Sequence, residues 1–213
     1  MFKKIKKIAF ILFISTNLFA LTEGKEYEVL KKPIANSDNS ITEIWSYQCS
    51  HCYKHQIAKT VQELANISND VKINMMMVKT WGKFGKEMAN LLAYAQYQDE
   101  KNNIKLYDEN SLYHNISKIY FVDVFKNKQT WDNNADNFYK SGLKLLGISK
   151  RQLNKFIESP EGQYLLQSTD IADIIADKTG TPSFIVNGKY LIKLENLQSM
   201  QDLINVAKEL INK

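Results

Sequence analysis

The chain has 213 residues, 44% apolar and 24% charged, which is enough for one large domain or a domain carrying an insertion and excludes a disordered chain. The formal charge of +5 is concentrated at one end: setting aside Lys3, Lys4, Lys6 and Lys7 leaves 24 basic residues against 23 acidic, a net +1. That balance gives no case for a nucleic-acid partner, and a core of this size does not depend on disulfide or metal staples to fold.

In chain order, residues 1–20 (MFKKIKKIAFILFISTNLFA) have the layout of a cleavable secretory signal. A lysine-rich start is followed by the short apolar run 8–14, then by polar residues and Ala20 as the cleavage point. The run is too short to span a bilayer comfortably, so a removed signal is expected rather than a retained anchor. Residues 31–40 (KKPIANSDNS) read as a polar loop. Residues 41–47 (ITEIWSY) alternate and are rich in β-branched and aromatic side chains, which predicts a strand. From Cys49 the pattern changes: Ile57, Val61, Leu64 and Ile67 recur at helical spacing, predicting one helix from about Cys49 to Asn66. Residues 71–78 (VKINMMMV) read as a buried strand, and strand–helix–strand favours parallel pairing with a right-handed crossover.

Between Phe84 and Thr179 helical periodicity dominates, with amphipathic segments at 84–98, 111–125, 134–146, 149–159 and 163–180. Ser149 is the expected N-cap of the fourth, with Gln152 at capping-box spacing. Strand character returns at 183–192 (SFIVNGKYLI), where Asn187-Gly188 between apolar runs signals a hairpin. A last helix over 195–211 is expected to bury Leu197, Met200, Leu203, Ile204 and Leu210. The order β–α–β, about a hundred residues of helix, then β–β–α implies a discontinuous α/β domain with a helical insertion. Its two parts must pack together to cover both faces of one sheet.

The chain has two cysteines, Cys49 and Cys52, in the stretch EIWSYQCSHCYKHQ. In an exported protein thiols meet an oxidising compartment. A bond between them closes a tiny loop and restricts the unfolded chain little, so reactivity explains the pair better than stability. The start of a helix lowers the pKa of a thiol placed there, and His51 can add a hydrogen bond or a positive charge. A stabilised thiolate makes the disulfide a ready oxidant, with Cys52, one turn on, as the more buried resolving thiol. Cys49, His51, Cys52 and His55 also form a ligand-rich cluster suited to zinc or copper. All four fall within seven residues, whereas closed tetrahedral sites draw ligands from separated segments, and no second C-x-x-C exists. Covalent haem is disfavoured because Tyr53, not histidine, follows Cys52. Thr181-Pro182, just before the strand at 183, is a candidate cis-proline.

The two stretches EIWSYQCSHCYKH and GTPSFIVNGKY resemble the paired signatures of DsbA-like thiol oxidases, periplasmic members of the thioredoxin superfamily. The likeness spans the order of elements and the helical insertion. It implies a thioredoxin-like α/β fold from residues 21–82 and 180–213, interrupted by a helical domain over 83–179. By this resemblance Cys49 is the exposed nucleophile and Cys52 its buried partner. His51 stabilises the thiolate, and Thr181-Pro182 forms the loop that pairs with the substrate backbone. Glu43 is the acid beneath the active site that relays a proton for Cys52, the alternative being a solvent-facing strand-edge carboxylate. Lys72 and Lys79 are the candidates for the lysine that often accompanies that acid. The same resemblance implies no cofactor beyond the redox-active disulfide, no metal, and a monomer acting on unfolded or reduced exported polypeptides. A DsbB-like, quinone-linked membrane oxidase would restore the disulfide. Two departures concern direction. Ser50 stands where the best-known members have proline, and threonine before the proline also occurs in disulfide isomerases and reductases of the superfamily. Those activities are therefore the alternative to a dithiol oxidase. A metal carrier using Cys49, Cys52 and a nearby histidine, or a folding chaperone with secondary thiols, are the rivals from other classes.

Overall fold

The computed structural model describes residues 21–213; the predicted export signal over 1–20 lies outside the described residues. Five strands form one sheet: β1 (Tyr27–Val29), β2 (Ser40–Trp45), β3 (Lys72–Met77), β4 (Ser183–Val186) and β5 (Tyr190–Ile192), in the order β1-β5-β4-β2-β3. Only β2 and β3 pair in parallel, as the strand–helix–strand pattern predicts; the other neighbours are antiparallel. β4 and β5 form the expected hairpin, with Asn187 at φ 52° and Gly188 at φ 67°, the left-handed conformation that this pair of residues tolerates best.

Two strands depart from the burial their sequences suggest. β3, expected to be buried, is an edge strand with Lys72 exposed, residues 73–76 half-buried and Met77 alone of its residues enclosed. β2 departs the other way. It alternates in sequence, yet all six residues are buried. It is hydrogen-bonded to β3 on one side and β4 on the other, and both sheet faces are covered, so Thr42 and Glu43 are enclosed along with Ile41 and Ile44. Ile41, Phe184 and Val186 face a core completed by Leu64, Leu203, Val206, Ala207 and Leu210. Ile44 and Ile185 point the other way, onto Ala172, Ile175 and Ala176.

The long helix predicted from Cys49 breaks in two. α1 (Ser50–Ile57) ends, Lys59 takes φ 54°, and α2 (Thr60–Ala65) begins. The break rotates the apolar stripe, so Val61 and Leu64 are buried while Ile57 is 64% exposed. Six helices follow between β3 and β4: α3 (Gly85–Lys101), α4 (Leu112–Phe125), α5 (Ala135–Leu146), α6 (Lys150–Ile157), α7 (Pro160–Ser168) and α8 (Asp170–Thr179). The Ser149/Gln152 capping box forms at α6. The segment 163–180, expected as one helix, is divided at Thr169, where side chains of Ser168 and Thr169 take up the carbonyls of Leu165 and Leu166. The insertion packs on an aromatic cluster in which Phe138 meets Tyr120 at 4.4 Å and Trp131 and Phe84 at 4.8 Å between ring centroids. Buried Asp99 of α3 organises the start of α4, accepting hydrogen bonds from Ser111 Oγ, Leu112 N and Tyr113 N at 2.7, 2.9 and 2.9 Å. α9 (Met200–Ile211) closes the chain and buries Leu203, Val206, Ala207 and Leu210. Val206 and Ala207 fill the central places assigned from sequence to Leu197, Met200 and Ile204, which pack at the margin of that core.

Candidate functional site

β2 leads straight to the cysteines through Ser46, Tyr47 and Gln48, and α1 starts where the strand stops. Cys49 is the N-cap of α1, with extended backbone (φ −84°, ψ 114°), and its Sγ accepts a hydrogen bond from Cys52 N at 3.0 Å. A helix start leaves several N–H groups without intrahelical partners, so sulfur here sits at the positive end of the helix. Cys49 and Cys52 are disulfide-bonded, with their Cα atoms 5.2 Å apart. Cys49 is partly exposed and Cys52 is 1% exposed, which leaves one sulfur open to an incoming thiolate.

The second predicted segment arrives from the far side of the insertion. The Thr181–Pro182 peptide bond is cis, and the Thr181 carbonyl oxygen lies 3.3 Å from Cys49 Sγ. A disulfide sulfur carries no proton, so this is a close contact rather than a hydrogen bond. Two segments separated by 132 positions therefore meet at one sulfur. His51 is exposed on the first turn of α1 beside Cys49. His55 turns elsewhere: its Nδ1 is 3.0 Å from Thr60 Oγ1 and its ring packs on Phe184. The four residues that looked like a ligand set in sequence are thus dispersed around α1. Among the described residues no group of three or more His, Cys, Asp and Glu side chains converges in a way that could hold a metal ion.

Glu43 is 6% exposed, which settles its placement against a solvent-facing strand edge. It lies beneath the disulfide, lining a small cavity of about 20 Å³ that Cys52 also borders. Burial without a compensating cation pushes its carboxyl up to about 8. Neither lysine suggested from sequence accompanies it. Lys72 is exposed at the start of β3, and Lys79 bonds Asp170 and the Leu166 carbonyl. Opposite Glu43 in the sheet stand Met75 on β3 and Phe184 on β4, so its cross-strand neighbours are apolar.

A shallow groove of about 670 Å³ runs past the disulfide, walled by Gln48, Ser50 and His51 on one side and Thr80, Trp81, Gly82 and Thr181 on others. Nothing in the sequence marks Thr80, Trp81 and Gly82 as part of the site. Their position is set from α8, whose aspartates at helical spacing each take one residue of the loop. Asp170 pairs with Lys79, Asp173 accepts from Thr80 N and Oγ1 at 3.2 and 3.1 Å, and Asp177 accepts from Trp81 Nε1 at 3.2 Å. Gly82 has φ 77°, and a Cβ there would fall 2.9 Å from the Tyr47 ring, so this turn requires glycine. Tyr53, also unmarked in the sequence, stacks on Phe121 and Phe125 at 5.6 and 5.1 Å and ties α1 to the insertion.

Comparison with known proteins places these features in context. No family model matches the chain. It is 31% identical over 196 residues to the thiol:disulfide interchange protein DsbL of Lelliottia amnigena, covering 91% of this chain and 88% of that one. The crystal structure of DsbL from Salmonella enterica serovar Typhimurium superposes with a TM-score of 0.84 at 29% identity, over 91% of this chain and 98% of that one. At 20% identity the likeness is one of fold: a Proteus mirabilis DsbA, solved with a non-covalently bound peptide PWATCDS, superposes with a TM-score of 0.70 over 91% of this chain and 99% of that one.

Proposed function

The chain belongs to the DsbA/DsbL family of thiol:disulfide interchange proteins, and from that premise we propose that it is a periplasmic dithiol oxidase, exported by a cleaved signal over 1–20, that donates its disulfide to unfolded or reduced exported polypeptides. The observation that carries this is the asymmetry of the pair: a partly exposed sulfur at the start of α1, a buried sulfur one turn on, and the Thr181 carbonyl 3.3 Å from the first. A substrate thiolate attacks Cys49 Sγ, the Cys49–Cys52 bond breaks, and Cys52 leaves as a thiolate. Buried Cys52 does not hold that charge well, and Glu43 beneath it supplies the proton. A second substrate thiolate then attacks the substrate sulfur of the mixed disulfide and expels Cys49. The departing thiolate is held by the Cys52 N–H and the first turn of α1, with His51 alongside. Two electrons have passed from substrate to the cysteine pair. No resident cofactor or metal enters the cycle, and a single copy of the chain carries every group it uses.

The substrate lies in the groove beside Thr181 and Pro182, where extended peptide meets backbone rather than a charged pocket. A DsbB-like, quinone-linked membrane oxidase restores the disulfide. The decisive experiment mixes the oxidised protein with a reduced two-cysteine peptide. The wild type should oxidise it stoichiometrically and Cys49→Ser should not; full activity in that variant would refute the mechanism. The equilibrium with glutathione separates the alternatives. A potential near the oxidising end of the range supports an oxidase, and one near about −270 mV supports a reductase.

A further inference from the structure

The cavity below the disulfide has more polar walls than a structural void needs. Its inner wall is Glu43, Cys52, Trp45 and Ser117, all buried; its outer wall includes His55, Gln56, Gln62 and His114, all half-buried. At about 20 Å³ it has room for one water molecule, and it runs from the reacting sulfur toward solvent. Among the described residues no side chain or backbone N–H donates a hydrogen bond to the Glu43 carboxyl, and burial is the only influence on its ionisation. The carboxyl is therefore an almost fully buried polar group whose outlet is this cavity.

We propose that His55 and His114 carry protons between the buried Glu43–Cys52 pair and solvent across this one-water cavity. The proposal rests on the disulfide exchange described above and extends it. When substrate attacks Cys49 and Cys52 departs as a thiolate, the Glu43 carboxyl gives Cys52 its proton and becomes a carboxylate. A protonated imidazole at the cavity returns a proton to Glu43 through the water, and the imidazole is recharged from solvent. During reoxidation each transfer runs backwards. The histidines act through Glu43 and touch neither substrate nor the attacked sulfur.

Two imidazoles suit this position because both stay largely neutral near neutral pH yet exchange protons readily. Burial lowers the pKa of His55 first, and the charge of His51 adds to it. For His114 burial again comes first, then Lys118, opposed by Glu109, with Lys59 last. Tyr107 is the other titratable side chain lining the cavity. Tyr113 does not line it but feels the charge of Glu43, and it is held out of reach of the pH range, its hydroxyl donating to the Met75 carbonyl and accepting from Trp45 Nε1. His55 is fixed from α1 by Thr60 of α2, and His114 comes from α4, so both halves of the fold contribute to the route.

The test is single-turnover oxidation of a reduced two-cysteine peptide, followed by stopped flow from pH 6 to 9. H55A/H114A should be slower by about 10²-fold at pH 7, the low end for a positioned proton carrier. Added imidazole should restore much of the rate in that variant and do nothing for wild type. Combining it with E43Q should slow the reaction no further than E43Q alone, because groups in series do not add. H55Q/H114Q, which keeps the polar volume, should be equally slow, which guards against misfolding of the alanine variant. An unchanged rate, a loss that imidazole does not rescue, or losses that multiply with E43Q would overturn the proposal. If wild type itself fails to oxidise the peptide, the oxidase function fails, whatever the histidines do.

Discussion

Glu43→Gln should make the protein more stable at neutral and alkaline pH, and the gain should vanish in acid. The carboxyl titrates near 8 in the folded protein, against an ordinary value of 4.5. Between those values the native state keeps a proton that the unfolded chain has lost, so the unfolded state binds fewer protons and stability falls as pH rises. The contribution is complete below 4.5, declines through the window, and is exhausted above 8. At about 1.4 kcal/mol per pH unit, burial of Glu43 leaves folding less favourable than in acid by about 3 kcal/mol at pH 7 and roughly 5 kcal/mol above the window. An amide of the same size cannot ionise, so the variant escapes this slope. For a chain of this length about 3 kcal/mol corresponds to a Tm difference of roughly 6–12 °C. The assay is thermal or denaturant unfolding of both oxidised proteins from pH 4.5 to 9, read as the difference between them, which cancels the other titrating groups. Parallel profiles would mean that the native carboxyl is already ionised at neutral pH, and the inference from burial would be wrong.

Three further outcomes follow from other contacts. His51→Ala should make the disulfide less oxidising by about 30 mV for each unit by which the Cys49 thiol becomes harder to ionise, measured against glutathione; an unchanged potential would show that His51 is a bystander. Asp99→Ala removes the acceptor of three hydrogen bonds at the start of α4 and should destabilise the protein by about 3 kcal/mol or more in urea unfolding; a loss within 0.5 kcal/mol, the usual range for an unremarkable surface substitution, would refute that role. Asp173→Ala should loosen the loop at Thr80 and raise the KM for peptide several-fold while the glutathione equilibrium stays put; a shifted equilibrium would mean that the loop tunes the thiols rather than the groove.

The elements that carry strong local signals were legible in the sequence. The paired cysteines at a helix start, the proline before β4, the Asn187-Gly188 hairpin and the Ser149 capping box each depend on a few adjacent residues. Parallel pairing of β2 with β3 followed from the crossover alone. What was not legible depends on contacts between distant segments. The break at Lys59 is invisible in a stripe of apolar residues that would suit an unbroken helix. Thr169 divides another helix through side-chain bonds to nearby carbonyls. In the site, the cysteine pair and the proline before β4 stood out by residue type, whereas Glu43 and the pairing role of the Thr181-Pro182 loop came only from the family resemblance; the structure brings all of them around one disulfide. Trp81 and Gly82 were missed, since a tryptophan and a glycine in a loop acquire a role only when α8 folds against them. His114 carries no local signal that would connect it to a carboxyl 71 positions away across the fold.

The three aspartates of α8 divide the protein's labour in a way that bears on how it can change. The sulfur chemistry is anchored in β2 and α1, whereas one bank of the groove hangs from the last helix of the insertion. On the proposed function, substitutions along α8 should reshape which polypeptides are accepted with little effect on the potential of the cysteine pair, which would make specificity and redox poise separately heritable traits. A relative with a redesigned insertion could serve a new clientele in a single lineage, and the same seam marks where an engineer would cut to graft a foreign recognition surface onto an unaltered oxidant.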